Sequence, residues 1–237
     1  MIQCYYNVKN NKKIKQDNNK ENIMNICKLV LECIDKYPED EPIFIEEIKD
    51  YVLKKCENND KENISKNINV ILNRLKNEKI IKAEYKGIYY KPTQSIFGEV
   101  PLNINRVIEL KYLMDRNGNI KGYMAGGKLF NDIGLTTQVP NVTEIVTNEC
   151  KYHRQYDKNL KTYIIKPKIT ITNENYKYLQ FIEILENKGS INIEVENTNE
   201  ILYEIILKYD LNFEKIIKYA RETNNKKILD KLFVLAR

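Results

Sequence analysis

Residues 64–91, ISKNINVILNRLKNEKIIKAEYKGIYYK, change periodicity within one short stretch. The first half carries apolar residues at helical spacing: Ile64, Ile68, Ile71, Leu72 and Leu75. That spacing predicts a helix over about 62–77. The second half predicts a strand, a turn at Lys86-Gly87 and a returning strand. The stretch therefore indicates a helix followed directly by a β-hairpin.

The residues before this stretch predict two further helices. Apolar residues recur at helical spacing over 21–36 and over about 45–56. The segment YPEDEP at 37–42 separates the two helices, because its two prolines cannot continue the first. Three helices and a hairpin in this order are typical of a winged helix-turn-helix. We therefore expect residues 21–95 to form such a DNA-binding domain.

The regions on either side differ in character. Residues 1–20 are dominated by Asn and Lys without apolar periodicity, which indicates a flexible basic tail. The segment 91–103, KPTQSIFGEVPLN, is punctuated by Pro and Gly and marks a connector. We expect a second, mixed α/β domain over 96–237, with a first helix at about 104–116 and helices only from about residue 174. The expected fold class is α+β.

Composition limits the compartment and the partners. The 237 residues are 42% apolar, which indicates a globular protein, and carry a net charge of +6, which is compatible with a nucleic-acid partner. No segment approaches the ~20 consecutive apolar residues of a membrane helix, and the start lacks a signal peptide's apolar run. Five cysteines without C-x-x-C spacing favour reduced thiols. We therefore expect a cytoplasmic protein with no membrane partner.

The distribution of charge says more than the total. Residues 38–60 hold eight acids and three bases, whereas residues 61–91 hold eight bases and three acids. The basic half coincides with the expected recognition helix and hairpin, where positive charge would meet phosphates. Asn can bond adenine through two hydrogen bonds, and an exposed Val can contact a thymine methyl. The candidate DNA-contacting residues, on the polar helix face and the hairpin, are Lys66, Asn69, Val70, Asn73, Arg74, Lys82 and Lys86.

An alternative interpretation of the same face remains. In a chain rich in Asn and Lys, these side chains would also be expected on any solvated surface. A winged helix with such a face can bind protein instead of DNA. We therefore keep a protein-interaction module as the second hypothesis beside double-stranded operator DNA.

Residues 122–128, GYMAGGK, have the frame of a phosphate-binding loop but not its chemistry. Such a loop follows a buried strand, and a Ser or Thr after its Lys holds magnesium. Here Leu129 takes that position, and the preceding MDRNGNIK reads as a turn. We interpret Gly126 and Gly127 as positions where backbones approach closely, and we expect no nucleotide hydrolysis.

The remaining candidates for catalysis are weak. His153 is the only histidine, and no carboxylates or thiols cluster around it at metal-ligand spacing. The segment DRNGN at 115–119 lacks the acidic ladder of a calcium loop. Cys150 near His153 does not by itself indicate a nucleophile. We expect no catalytic residue, no metal and no cofactor, although an enzyme that uses the middle of the chain remains an alternative.

Two segments, GIYYKPTQSIFGEVP at 87–101 and GYMAGGKLFNDIGLTTQVPNVTEIVTN at 122–148, resemble the AbiEi-like antitoxins of bacterial type IV toxin–antitoxin systems. The closest part is the turn at 133–140, IGLTTQVP, where Ile133 replaces the usual Leu. The resemblance covers roughly residues 40–150. GYMAGGK is similar to the small-residue helix start of that family.

This resemblance implies a function. It implies a winged-helix domain that represses its own operon, joined to a second domain that confers antitoxicity. The functional partner it implies is a nucleotidyltransferase-like toxin, with no direct contact required. A stand-alone transcriptional regulator without a toxin is the alternative. Independently of the resemblance, a winged helix alone buries a small interface on DNA, so we also expect a homodimer on an inverted repeat.

Overall fold

The computed structural model describes residues 13–56, 60–189, 193–194, 197–223 and 226–235. Its fold is α+β. Two compact units are present, of which the first ends at Asn103 and the second begins at Ile104. The division lies later in the chain than the expected boundary at 95/96. The reason is that Glu99 bonds Tyr90 and Lys82, which ties the connector to the first unit.

The first unit interleaves helices with short strands. Its elements are α1 (Lys13–Asp35), β1 (Ile43–Phe44), α2 (Ile45–Lys55), α3 (Lys61–Asn77), β2 (Lys82–Tyr85), β3 (Ile88–Tyr90), β4 (Gln94–Ser95) and β5 (Gly98–Glu99). Strands β1, β3 and β2 form an antiparallel sheet in that order, and β4 and β5 form a separate hairpin. The helices and the β2–β3 hairpin lie close to their predicted positions.

Helix α1 begins earlier than the sequence pattern indicates. The predicted helix covered 21–36, yet residues 13–20, which were assigned to a flexible tail, are helical. Lys, Gln and Glu have high helix propensity, so a helix can continue through residues that carry no apolar stripe. The part of the predicted tail before residue 13 lies outside the described residues.

The core of the first unit lies among α1, α2, α3 and the small sheet. Its most deeply buried side chains come from each of these elements and from the residue before β2: Val30, Ile34, Ile43, Ile48, Val52, Ile68, Leu72 and Ile81. Full burial of one such side chain contributes roughly 1.5–3 kcal/mol. Because α3 directs its whole apolar stripe into this core, its polar face is left outside.

The second unit contains a four-stranded sheet and helices. Its elements are α4 (Ile104–Ile108), a π-helical turn (Glu109–Leu113), β6 (Gly122–Ala125), α5 (Gly126–Asp132), β7 (Thr143–Thr147), β8 (Arg154–Asp157), β9 (Thr162–Ile165), α6 (Tyr176–Asn187), α7 (Thr198–Lys208), α8 (Phe213–Glu222) and α9 (Lys226–Leu235). The strand order is β6-β7-β9-β8, with β7 and β9 parallel and the other pairs antiparallel. From Tyr176 onward the described elements are helices, close to the predicted start at 174.

Three local features of this unit differ from what the sequence predicts. The helix expected over 104–116 ends at Leu113, because Asp115 accepts the backbone N–H groups of Asn117 and Asn119 at 2.8 and 2.9 Å and so forms a turn. The segment GYMAGGK begins as strand β6 before α5 starts at Gly126. Strand β8 was not predicted, since it is an edge strand of polar residues.

Two apolar clusters stabilise the second unit. One packs α5 against α6, α7, α8 and α9 around Phe130, Phe181 and Leu202. The other joins the sheet to α6 through Tyr123, Val146 and Leu179. Among the helices that the structure describes, none has the length and apolar character needed to cross a membrane.

Candidate nucleic-acid interface

Helix α3 has a buried face and an exposed face. Asp60 caps its start by accepting the backbone N–H of Asn63 at 3.0 Å. The apolar stripe of α3 is buried. All five candidate residues of the helix are exposed on the other side: Lys66, Asn69, Val70, Asn73 and Arg74. Val70 is 60% exposed, so its methyl groups are accessible from solvent.

The side chains on this face differ in their partners. Lys66 forms an ion pair with Glu62 at 2.7 Å, one turn earlier, with both side chains largely exposed. Such exposed pairs contribute little, at most ~1 kcal/mol, so a phosphate could displace Glu62. Arg74 has no ion pair with an acidic side chain within the described ranges. Positive charge without a partner therefore lies toward the C-terminal half of α3.

The β2–β3 hairpin holds its turn against the start of α2. Gly87 has φ +78, and a Cβ there would lie 3.1 Å from Cγ2 of Ile45. The backbone N–H of Ile45 donates to the carbonyl of Gly87 at 2.9 Å. This close contact and the positive φ explain the glycine. They also fix the position of Lys86, which is exposed at the turn.

Lys82 lies at the opposite end of the hairpin, where it pairs with Tyr90 across the strands. Its ammonium group lies 2.5 Å from Glu99, which also accepts the hydroxyl of Tyr90 at 3.3 Å. Burial first, and then the charge of Glu99, raise the pKa of Tyr90 to about 12. Lys82 therefore stabilises the attachment of the β4–β5 hairpin, a role that the sequence did not indicate.

Two lysines that were not predicted extend the basic surface. Lys76 and Lys79 are exposed at the end of α3, next to Arg74 in sequence. Lys79 has φ +60 and donates its backbone N–H to the carbonyl of Lys76 at 3.1 Å, so it terminates the helix. The signal for both lay in the basic excess of residues 61–91. Glu78 and Glu84 are also exposed in this segment, and they reduce the positive charge locally.

The phosphate-loop frame is not arranged as a loop. Gly122 to Ala125 form β6, and α5 starts at Gly126, with Lys128 in an ion pair with Asp132 one turn later. A Cβ on Gly122 would lie 2.2 Å from the carbonyl oxygen of Tyr112, whereas one on Gly127 would lie 3.4 Å from Pro140, an ordinary contact. The close approach predicted at Gly127 was therefore wrong. It occurs at Gly122, while Gly126 has φ +59 and lies against Glu144.

Part of the turn at 133–140 has a structural role. Leu135 is fully buried, and the backbone N–H of Thr137 donates to Glu194 at 2.9 Å. The Glu194 carboxylate also accepts the Thr137 hydroxyl at 2.6 Å, and this bond is the main reason that the pKa of Glu194 is lowered. In contrast, Val139 is 75% exposed. The motif thus closes α5 and joins it to the segment before α7.

No group of three or more His, Cys, Asp or Glu side chains that could hold a metal ion is found in the described part of the chain. The Cys150 thiol is buried and donates to the carbonyl of Tyr152 at 2.9 Å, while His153 is exposed. Cys27, Cys33, Cys56 and Cys150 form no disulfide among the described residues.

No family model matches the chain, and no curated protein matches it. The resemblance to the antitoxin family therefore depends on the two quoted segments alone. Residue roles cannot be transferred through it. The assignment of contacts has to come from the exposed face of α3 and from the hairpin turn.

Proposed function

We propose that the first unit is a winged helix-turn-helix that binds double-stranded operator DNA. The observation that carries this proposal is the order α1-β1-α2-α3-β2-β3 with an exposed Asn, Val and basic face on α3. In this fold the helix in the position of α3 enters the major groove and the hairpin contacts the flanking backbone. The basic excess of residues 61–91 supports the assignment.

The proposed contacts divide into two kinds. Asn69, Val70 and Asn73 read base edges, because amides and an exposed methyl group match adenine and thymine. Arg74 and Lys86 contact phosphates, as does Lys66 once it leaves Glu62. Lys82 contributes to DNA binding only through the overall positive electrostatic potential of the unit, because its ammonium group is already paired with Glu99.

We further propose that the chain represses its own operon as an antitoxin-type regulator. This step depends on the resemblance of residues 87–101 and 122–148 to AbiEi-like antitoxins. Under this proposal the second unit confers the antitoxicity, and a nucleotidyltransferase-like toxin encoded next to the gene is the functional partner. Co-expression of such a neighbouring gene with and without this chain tests it: growth arrest that the chain does not relieve would contradict antitoxicity and leave a stand-alone regulator.

DNA binding is tested by gel-shift titration against the region upstream of the gene and a scrambled duplex, at two salt concentrations. Arg74→Ala and Lys86→Ala should weaken binding to both duplexes alike and reduce the salt slope by roughly one each. Asn69→Ala and Asn73→Ala should each cost ~1–3 kcal/mol on the upstream region and little on the scrambled duplex.

Matched controls come from the second unit. Lys158 and Asn159 are exposed on the loop after β8, so Lys158→Ala and Asn159→Ala make the same chemical change in the other unit. Both should bind like the wild type. Equal weak binding to the two duplexes, unaffected by the α3 substitutions, would contradict operator binding and favour a protein-interaction module.

A further inference from the structure

The β4–β5 hairpin displays two apolar side chains to solvent. Ile96 is 93% exposed and Phe97 is 94% exposed, and together they form the two-residue tip between Ser95 and Gly98. Isolated exposed apolar residues are ordinary, but two adjacent and almost fully exposed ones on a tight turn are a candidate for contact with another molecule.

The tip is held in a defined shape. The Ser95 hydroxyl donates to the carbonyl of Gly98 at 2.7 Å and accepts the backbone N–H of Phe97 at 3.2 Å. Below it, the backbone N–H of Val100 donates to the carbonyl of Thr93 at 3.0 Å. Because the backbone is already ordered, a contact through Ile96 and Phe97 would not require further ordering of the loop.

The hairpin is attached away from the proposed DNA contact. Glu99 at its base bonds Tyr90 and Lys82, which are paired at the end of the β2–β3 hairpin opposite the Lys86-Gly87 turn. Thr93 is bonded to Asp40 through its backbone N–H, at 3.1 Å, and through its hydroxyl. The attachment leaves the turn and the α3 face available to DNA.

The charge around the tip argues for one kind of occupant. Residues 92–98, PTQSIFG, contain no charged residue in a chain of which 30% is charged. A DNA-contacting wedge would be expected to carry several basic neighbours, whereas the residues that flank this segment, Lys91 and Glu99, have opposite charges. A surface that meets its own copy brings identical charges together, and a neutral tip avoids that repulsion.

We propose that Ile96 and Phe97 form a contact between two copies of this chain. Each aromatic side chain buries roughly 150–250 Å², so two such tips bury less than the ~1,200–2,000 Å² of a stable interface. The contact is therefore weak in solution, with a Kd of ~0.1–1 mM. The contact becomes effective when two copies bind adjacent half-sites on DNA, because each then raises the local concentration of the other. This consequence on DNA rests on the proposed function, whereas the contact in solution does not rest on it.

Sedimentation equilibrium of the full chain without DNA, at concentrations up to ~1 mM, tests the contact. We expect the weight-average mass of the wild type to rise toward that of a dimer. The double variant Ile96→Ser/Phe97→Ser should remain monomeric, with its association constant reduced at least tenfold. Leu207→Ser is the matched control, because Leu207 is 79% exposed in the second unit, and it should associate like the wild type. Circular dichroism and thermal melting should be unchanged in both variants, since neither substitution touches the core.

A wild type that stays monomeric at the highest concentration, or association that survives in the double variant, would overturn the proposal. Two further arms separate other occupants. The double variant should bind a single DNA half-site as tightly as the wild type, and weaker binding by the variant would overturn the proposal and assign the tip to DNA. The wild type should not cosediment with anionic lipid vesicles, and cosedimentation that the double variant loses would assign the tip to a lipid surface. A chain that binds no DNA would contradict the proposed function but leave the sedimentation result intact.

Discussion

Glu183 in α6 is expected to make the stability of this protein depend on pH near neutrality. Its carboxylate lines a small cavity of about 80 Å³ beside Tyr123. Burial, and then the charge of Glu186, raise the pKa of Glu183 to about 7, from an ordinary 4.5. Lys168 opposes this shift, but it forms an ion pair with Glu186 at 2.8 Å.

The sign follows from proton uptake. Because the pKa is raised in the folded state, folding binds a proton between about pH 4.5 and pH 7. The contribution of Glu183 to the free energy of unfolding is therefore fully present below pH 4.5 and is lost as the pH rises through 7. One pKa unit corresponds to about 1.4 kcal/mol, so the full difference would be ~3 kcal/mol. Since the side chain is only partly buried, we expect ~1–2 kcal/mol.

Glu183→Gln isolates this effect. Gln retains an oxygen for the hydrogen bond that Asn187 donates to Glu183 at 2.7 Å, but it carries no charge. Urea denaturation at pH 5 and pH 8 should show the variant more stable than the wild type at pH 8 by ~1–2 kcal/mol, with a smaller difference at pH 5.

Glu204→Gln in α7 is the control, because Glu204 is an exposed carboxylate that does not contribute to the raised pKa of Glu183. It should not reproduce the gain at pH 8. A difference between wild type and Glu183→Gln that is the same at both pH values, or that favours the wild type at pH 8, would refute the reasoning.

Three more predictions concern the second unit. Gly122→Ala should destabilise the protein by ~2–4 kcal/mol, because the added Cβ would overlap the carbonyl oxygens of Tyr112 and Val146. Gly127→Ala should be neutral or stabilising by ~0.5–1 kcal/mol, because this helical position has room for a Cβ. Thermal melting that ranks the two variants the other way would contradict the geometry. Asp157→Asn should cost ~1–3 kcal/mol at pH 7, because Asp157 accepts Tyr112 at 2.7 Å and Lys111 at 2.8 Å. Burial alone would raise the pKa of Asp157, but these hydrogen bonds lower it below the ordinary 3.8. The contribution of Asp157 to the free energy of unfolding is therefore present above pH 3.8, and the cost of the substitution in urea denaturation should shrink as the pH falls through the lowered pKa. A cost that is unchanged at pH 3 would argue against the ion pair. Calorimetry should detect no magnesium-dependent binding of ATP or GTP, because Leu129 is buried and offers no hydroxyl; micromolar binding that Lys128→Ala abolishes would revive the phosphate-loop interpretation.

The sequence was informative where one face of an element is buried. Ile64, Ile68 and Leu72 recur at helical spacing because α3 has a single core face, and the hairpin after it shows its turn at Gly87. The start of α1 and the edge strand β8 lack such a face in their sequence. The start of α1 depends on helix propagation, and the position of β8 depends on its pairing with β9. Neither produces a periodic pattern of apolar residues in the sequence.

Long-range partners were the other limit. The sequence shows a lysine at 82 and a glutamate at 99, but only the fold brings them to 2.5 Å and changes the role of Lys82. The same holds for the glycines. A sequence reveals where a Cβ is missing, whereas the contrast between Gly122 and Gly127 depends on the atoms that a Cβ would meet.

The asparagine side chains of this chain include both hydrogen-bonded and solvent-exposed amides. Asn148 donates to the carbonyl of Ile171 at 2.9 Å and accepts its N–H at 3.0 Å, so both the NH2 group and the oxygen of its amide bond the backbone. Asn175 is likewise engaged, with Thr170 and Thr172. Within the described residues no hydrogen bond occupies the exposed side-chain amides of Asn69 and Asn73 on α3. A compositional bias would place Asn anywhere, but an amide whose donors and acceptor all face solvent can still bond the edge of an adenine. This difference is why the DNA proposal depends on α3 and not on the net charge.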